Sequence, residues 1–210
     1  MLYNDILNIA LIPEDKYVAA AIVKLSQSLN EPLSLYHLRN ANDSHKENSS
    51  IPHCTVMHFL LPKSGADKKR VLMSLLPFVD QTVTVSLVGL EKITAPAFIK
   101  AAILRNQTIN EQNHVQQLAV AKNNELITLQ NKISQAIGDE ESLITGKGPA
   151  YAPHFTLWVQ EFPQAKNIKS KDLLSDIPNF FNCKVIIGSC GPIGQIERVI
   201  PQNKITPLLD

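Results

Sequence analysis

Two short stretches of the sequence carry residues suited to acid–base chemistry. They are Pro52-His53-Cys54-Thr55-Val56 and Pro153-His154-Phe155-Thr156-Leu157, two copies of Pro-His-x-Thr-aliphatic whose histidines lie 101 residues apart. With six histidines and nine threonines in the chain, chance supplies about a quarter of one His-x-Thr, so a single copy would carry little weight. Two copies, each behind a proline and a polar stretch, are a different matter. Side chains two apart on a strand share a face, so His53 and Thr55 point together, as do His154 and Thr156, with Cys54, Val56, Phe155 and Leu157 turned the other way. If the two halves meet, a pair of imidazoles and a pair of hydroxyls line one cleft. Imidazole titrates near neutral pH, so one ring can take a proton from an attacking oxygen while the other gives one to a departing oxygen. The hydroxyls can donate to the free oxygens of a phosphate held between them.

The elements that must hold these motifs are legible as periodicity. Asp5 to Ile12 reads as a strand, and a helix follows from Pro13 to about Leu29, with Val18, Ala21, Ile22, Leu25 and Leu29 on one stripe. Leu33 to Leu38 reads as a strand and residues 39–50 as an exposed polar loop. His53 to Leu61, Gly65 to Phe78 and Thr82 to Leu90 read as strand, helix and strand. Phe98 to Leu104 reads as a further strand, and His114 to Ile137 as the longest helix, closed by Gly138. Residues 139–150 form a second loop before the strand His154 to Val159. A short helix over Lys169 to Leu174 and two strands, Cys183 to Ile187 and Gln195 to Ile200, joined by a turn over Gly188 to Gly194, complete the reading. The order of elements repeats between the halves although residue identity does not.

Composition narrows the partners. Twenty Lys and Arg against nineteen Asp and Glu leave a formal charge of +1, which excludes the polycationic field that grips a long duplex but leaves room for a ligand with one or a few phosphates. A hydrophobic fraction of 44% with 19% charged residues is that of a folded globular chain. Cys54, Cys183 and Cys190 make no Cys-x-x-Cys, so a reduced, cytoplasmic, soluble protein without disulfide framework or zinc knuckle is expected. No uninterrupted apolar run reaches membrane-spanning length, so no membrane partner is expected.

On the two His-x-Thr motifs and the element order, the sequence resembles the two-histidine (2H) phosphoesterase superfamily, which includes 2',3'-cyclic RNA phosphodiesterases and the so-called 2'-5' RNA ligases. The resemblance implies an α+β fold of two pseudo-twofold lobes spanning residues 1–210 as one domain, with two facing antiparallel sheets and flanking helices around a central cleft. It implies a phosphodiesterase acting without metal or cofactor, with His53, Thr55, His154 and Thr156 as the catalytic and phosphate-contacting residues. Ala150-Tyr151-Ala152 stands where arginines are frequent in the bacterial members, which turns the expectation toward a small cyclic nucleotide or short 2'-5'-linked oligonucleotide; a monomer is expected as well.

The same strand logic extends to other residues. Met57 and Trp158, two beyond each threonine, fall on the cleft face as candidate substrate contacts, with Tyr151 just upstream of the second motif as another. His58, five after His53, falls on the opposite face. Cys54 opposes His53, which argues against a thiol nucleophile. Lys63 and Lys147 read as solvated loop residues, and the glycine-rich Gly188 to Gly194 lacks the Lys and Ser/Thr of a phosphate-binding loop. The alternatives to hydrolysis are a nucleotide-binding module without turnover and RNA-end processing or ligation in the same cleft.

Overall fold

The segment Ile6-Leu7-Asn8-Ile9-Ala10-Leu11 has almost no polar member, and in the computed structural model all six residues are buried. A strand buried on both faces belongs in the interior of a sheet. Strand β1 (Ile6–Pro13) accordingly lies between β2 (Cys54–Leu60) and β6 (Phe180–Cys190), antiparallel to both. The structure describes residues 6–29, 50–94, 114–138, 143, 150–160, 174–190 and 196–205.

The other described elements are α1 (Lys16–Leu29), α2 (Gly65–Leu75) with a 3-10 turn at Leu76–Phe78, β3 (Thr82–Thr94), β4 (His114–Val120), α3 (Asn124–Ile137), β5 (His154–Gln160), β7 (Ile196–Ile200) and the short α4 (Gln202–Ile205). All strand pairings are antiparallel, in the order β1-β2-β5-β4-β3-β6-β7, and the additional pairing of β1 with β6 closes the first six strands into a ring. The α+β class therefore holds, and the two expected sheets are two arms of one hydrogen-bonded sheet. One arm is β2-β1-β6-β7 and the other β5-β4-β3. They join where β3 pairs with the first half of β6, and where β2 meets β5 at the register pair Cys54↔Phe155.

Several boundaries depart from the sequence reading for local reasons. His114 to Ile137 is a strand followed by a helix, because the Asn123 side chain accepts the Leu126 backbone N–H at 2.9 Å and starts α3 there as an N-cap. Gly138 ends α3 with φ of 77°, a conformation open to glycine. Pro77 cannot continue α2, which stops at Leu75 and tightens into the 3-10 turn. Gly188 lies inside β6 rather than in a turn, and a Cβ there would sit 2.7 Å from the Ile196 side chain, so β7 can approach β6 only over a glycine. The expected strands at 33–38 and 98–104, and residues 169–173 of the expected short helix, lie outside the described residues, as do most of the loops at 39–50 and 139–150. Leu174 is described and is not helical.

The core lies between the inner face of the strands and the helices. Phe59, Phe155, Ile9, Leu11, Ile22, Leu72, Leu118, Leu126 and Ile133 are among its fully buried members. Helix α1 packs on β5 as well as on β1, and α3 packs on α2 and β2, so each long helix reaches the histidine strand of the other half. No helix among the described residues is long and apolar enough to cross a membrane.

Candidate active site

The Cys54↔Phe155 pair fixes how the two motifs meet. Residues directly opposite on antiparallel strands point to the same face, and both of these are buried in the core. Their neighbours therefore share the other face. Antiparallel register sets His53 beside Thr156 and Thr55 beside His154, with about 5 Å between neighbouring Cα positions at such a pair. The backbone N–H of His154 points at the Cys54 thiol, which ties the strands at this point.

Each histidine ring is held in the same way. His53 Nδ1 lies 2.8 Å from the carbonyl of Ile51, and His154 Nδ1 lies 2.7 Å from the carbonyl of Ala152. A carbonyl oxygen only accepts, so Nδ1–H is the donor in both rings and Nε2 keeps its lone pair in the neutral form. The intervening Pro52 and Pro153 account for the geometry. A residue before proline is forced toward an extended backbone, and this aims the carbonyl two positions back at the ring. On the His53 side, Ser50 adds a brace. Its hydroxyl donates to the Ile51 carbonyl at 3.1 Å, lies 3.5 Å from His53 Nδ1 and accepts the Ile196 backbone N–H at 3.0 Å. Ile51 itself packs against Ala10, Ile186 and Ile196. His53 is 7% exposed and His154 half-buried. Burial holds the His154 pKa below its ordinary value, while the Ala152 carbonyl and the negative charge of Glu91 push it back up.

Both motif strands carry a β-bulge at the same place. Thr55 pairs with Ala10 and Met57 with Ile9, leaving Val56 as the extra residue; Thr156 pairs with Gln117 and Trp158 with Gln116, leaving Leu157 as the extra residue. A bulge shifts the alternation of faces by one. Met57 is therefore at 0% exposure in the core, not on the cleft face, and His58 turns to the face of Thr55 instead of away from it, in register with Asn8. Trp158 holds the register position in β5 that Met57 holds in β2; its side chain lies outside the described residues. Tyr151 is likewise no rim residue. It is 2% exposed, its hydroxyl donates to the Thr55 carbonyl at 3.3 Å, and burial pushes its pKa well up. Met57 and Tyr151 thus support the site from behind and are not placed to touch a ligand.

Two amides outside the His-x-Thr motifs sit on the histidine face. Asn8 Nδ2 donates to Thr55 Oγ1 at 3.1 Å. Gln117, 3% exposed and opposite Thr156, donates from Nε2 to Glu91 Oε2 at 3.1 Å. The signal available in the sequence was a lone amide within an apolar strand, Ile-Leu-Asn-Ile-Ala-Leu in β1, which is costly unless the polar group has a use.

Cys54 opposes His53 as the alternation predicts, and burial pushes its thiol pKa up to about 12, so it is no thiolate at neutral pH. Among the described residues no group of three or more His, Cys, Asp or Glu is arranged to hold a metal ion. Lys63 is exposed; His37, His45 and Lys147 lie outside the described residues.

No protein-family model matches the chain, and no curated protein matches it. Among solved structures it is similar to Usb1 of Kluyveromyces marxianus with uridine monophosphate, at 12% identity and a TM-score of 0.44, over 95% of this chain and 98% of that one. It is similar also to a second structure of Usb1 of the same organism, at 12% identity and a TM-score of 0.43, over 94% of this chain and 97% of that one.

Proposed function

We propose that this chain is a phosphodiesterase of the two-histidine kind, hydrolysing a 2',3'-cyclic nucleotide or a short 2'-5'-linked oligonucleotide. The observation that carries the reading is the matched pair of Nδ1–H donations to the Ile51 and Ala152 carbonyls. They fix two imidazoles in one tautomer on strands that meet at one register pair.

In this scheme one ring is the base and the other the acid, and the step is written with His154 as base and His53 as acid. Burial lowers the pKa of His154, which favours its neutral form before substrate arrives. Its Nε2 takes a proton from water as the water oxygen bonds to phosphorus. The bond from phosphorus to the ribose oxygen breaks, and the Nε2 proton of a doubly protonated His53 passes to that oxygen. Thr55 and Thr156 hydroxyls donate to the two non-bridging oxygens, where negative charge gathers. A phosphomonoester leaves, and proton exchange with water restores both rings.

The test is incubation of the purified chain with 2',3'-cyclic mononucleotides and with 2'-5' oligoadenylate in the presence of EDTA. Release of a phosphomonoester is the expected result. Binding without product would favour a nucleotide-binding module, and turnover that required an added divalent ion would overturn the mechanism.

A further inference from the structure

Asn8 is a buried amide in the middle of the most apolar strand, and only half of it is satisfied. Its Nδ2 donates to Thr55 Oγ1, whereas its Oδ1 is buried with no hydrogen-bond partner among the described residues. A leucine would fill the same space between β2 and β6 without that cost. What an amide adds is its effect on Thr55. A hydroxyl has one proton and two lone pairs, and a lone pair of Oγ1 is taken by Nδ2–H. The hydroxyl proton cannot then point at Asn8. Thr55 is half-exposed on the histidine face, and its hydroxyl proton is left for an acceptor on that face.

We propose that Asn8 is a positioning residue that turns Thr55 into a committed hydrogen-bond donor, so that the first half of the site selects an anionic oxygen at this place. The second half is built differently. Gln117, opposite Thr156, gives its Nε2–H to Glu91 rather than to a threonine. The two threonines are thus unequal partners for the phosphate: Thr55 is oriented before the ligand arrives, and Thr156 orients on it. The proposal rests on the phosphodiesterase reading for its reaction, but its ligand chemistry, a phosphate oxygen accepting from Thr55, is measurable without turnover.

The experiment is a double-mutant cycle on anion binding, with inorganic phosphate and 2'-AMP as probes in titration calorimetry. It uses the full chain as wild type, Asn8→Leu, Thr55→Val and the double variant, with kcat and KM for a 2',3'-cyclic mononucleotide measured beside it. Asn8→Ala repeats the cycle without added bulk, and thermal unfolding shows which variants are folded. Asn8→Leu should weaken anion binding by about fivefold to tenfold, the scale of one lost charge-assisted donor. In the Thr55→Val background the same change should weaken it by less than about twofold, since the group through which it acts is gone. A purely structural role would persist undiminished in that background and would overturn the proposal. So would unchanged or tighter binding in Asn8→Leu, which would mean that the amide oxygen faces Thr55 and holds its proton back. Coupled loss of anion binding in a chain that does not hydrolyse the cyclic nucleotide would uphold Asn8 and overturn hydrolysis. Hydrolysis without coupling would do the reverse, and a wild type that neither binds either anion nor hydrolyses the cyclic nucleotide would overturn both.

Discussion

The Ser26 hydroxyl, on the long helix of the first half, donates to the carbonyl of Leu157, the bulged residue of the second histidine strand, at 2.6 Å. The reciprocal contact exists: Gln130 Nε2, on the long helix of the second half, donates to the carbonyl of Val56, the bulged residue of the first histidine strand, at 3.3 Å. A bulge interrupts the ladder and leaves its carbonyl in need of another donor. Here each half supplies the donor for the other, and the position of each histidine strand depends on both.

Removal of either clamp should therefore lower stability beyond the value of one surface hydrogen bond. Ser26→Ala leaves a buried carbonyl unsatisfied and should cost about 1–3 kcal/mol, as should Gln130→Leu. Denaturant unfolding of the single and double variants gives the check; a loss below 0.5 kcal/mol for both, on the order expected at an exposed site, would contradict the role assigned to the crossed contacts.

His154 makes stability depend on pH in a defined direction. Its folded pKa is lowered from an ordinary value of 6.5 by burial, so the unfolded chain takes up its proton first as pH falls. Its contribution is fully present above pH 6.5 and is lost as pH drops below that value toward the folded pKa. His154→Gln should flatten this part of the stability curve. Chemical denaturation at several pH values between 5 and 8 decides it, and an unchanged slope in the variant would assign the effect elsewhere.

The back of the site should respond as packing, not as ligand contact. Met57→Ala opens a cavity in a fully buried position and should cost about 2–5 kcal/mol while KM changes little. Tyr151→Phe removes the hydroxyl bond to the Thr55 carbonyl and should cost on the order of 1 kcal/mol. A large rise in KM with unaltered unfolding, in either variant, would return these residues to the ligand side.

Cys54 should behave as an inert core thiol. With its pKa pushed up to about 12, it should not react with thiol reagents at pH 8 unless the protein is unfolded, and Cys54→Ala should retain turnover. Rapid labelling of the folded protein that abolished activity would revive the thiol nucleophile.

The histidine motifs, their shared face and the core-facing Cys54 and Phe155 were legible because strand alternation is a rule of period two. The phase after each motif was not, because a bulge leaves no mark in a run such as Val56-Met57-His58, and one extra residue exchanges the roles of Met57 and His58. The strand and helix of 114–137 read as one helical period because Leu118 and Ala121 fall eight residues before Leu126 and Leu129, a helical spacing, by coincidence. The cap at Asn123, read as a start signal, would have divided them. Tyr151 was misplaced because proximity to a loop in sequence says nothing of which way a large ring turns, and its ring enters the core beneath Thr55. Asn8 is not marked by repetition in the sequence, since this amide has no register equivalent in the second half, where Gln117 faces Thr156 directly.

Whether His53 and His154 act as a pair is decided by hydrolysis of a 2',3'-cyclic mononucleotide under EDTA by the wild type, His53→Ala, His154→Ala and the double variant. Each single variant should lose about two to four decades in kcat while remaining folded, and the double variant should be little worse than the poorer single one, as for groups that work as a unit. Full activity in either single variant would contradict the pairing.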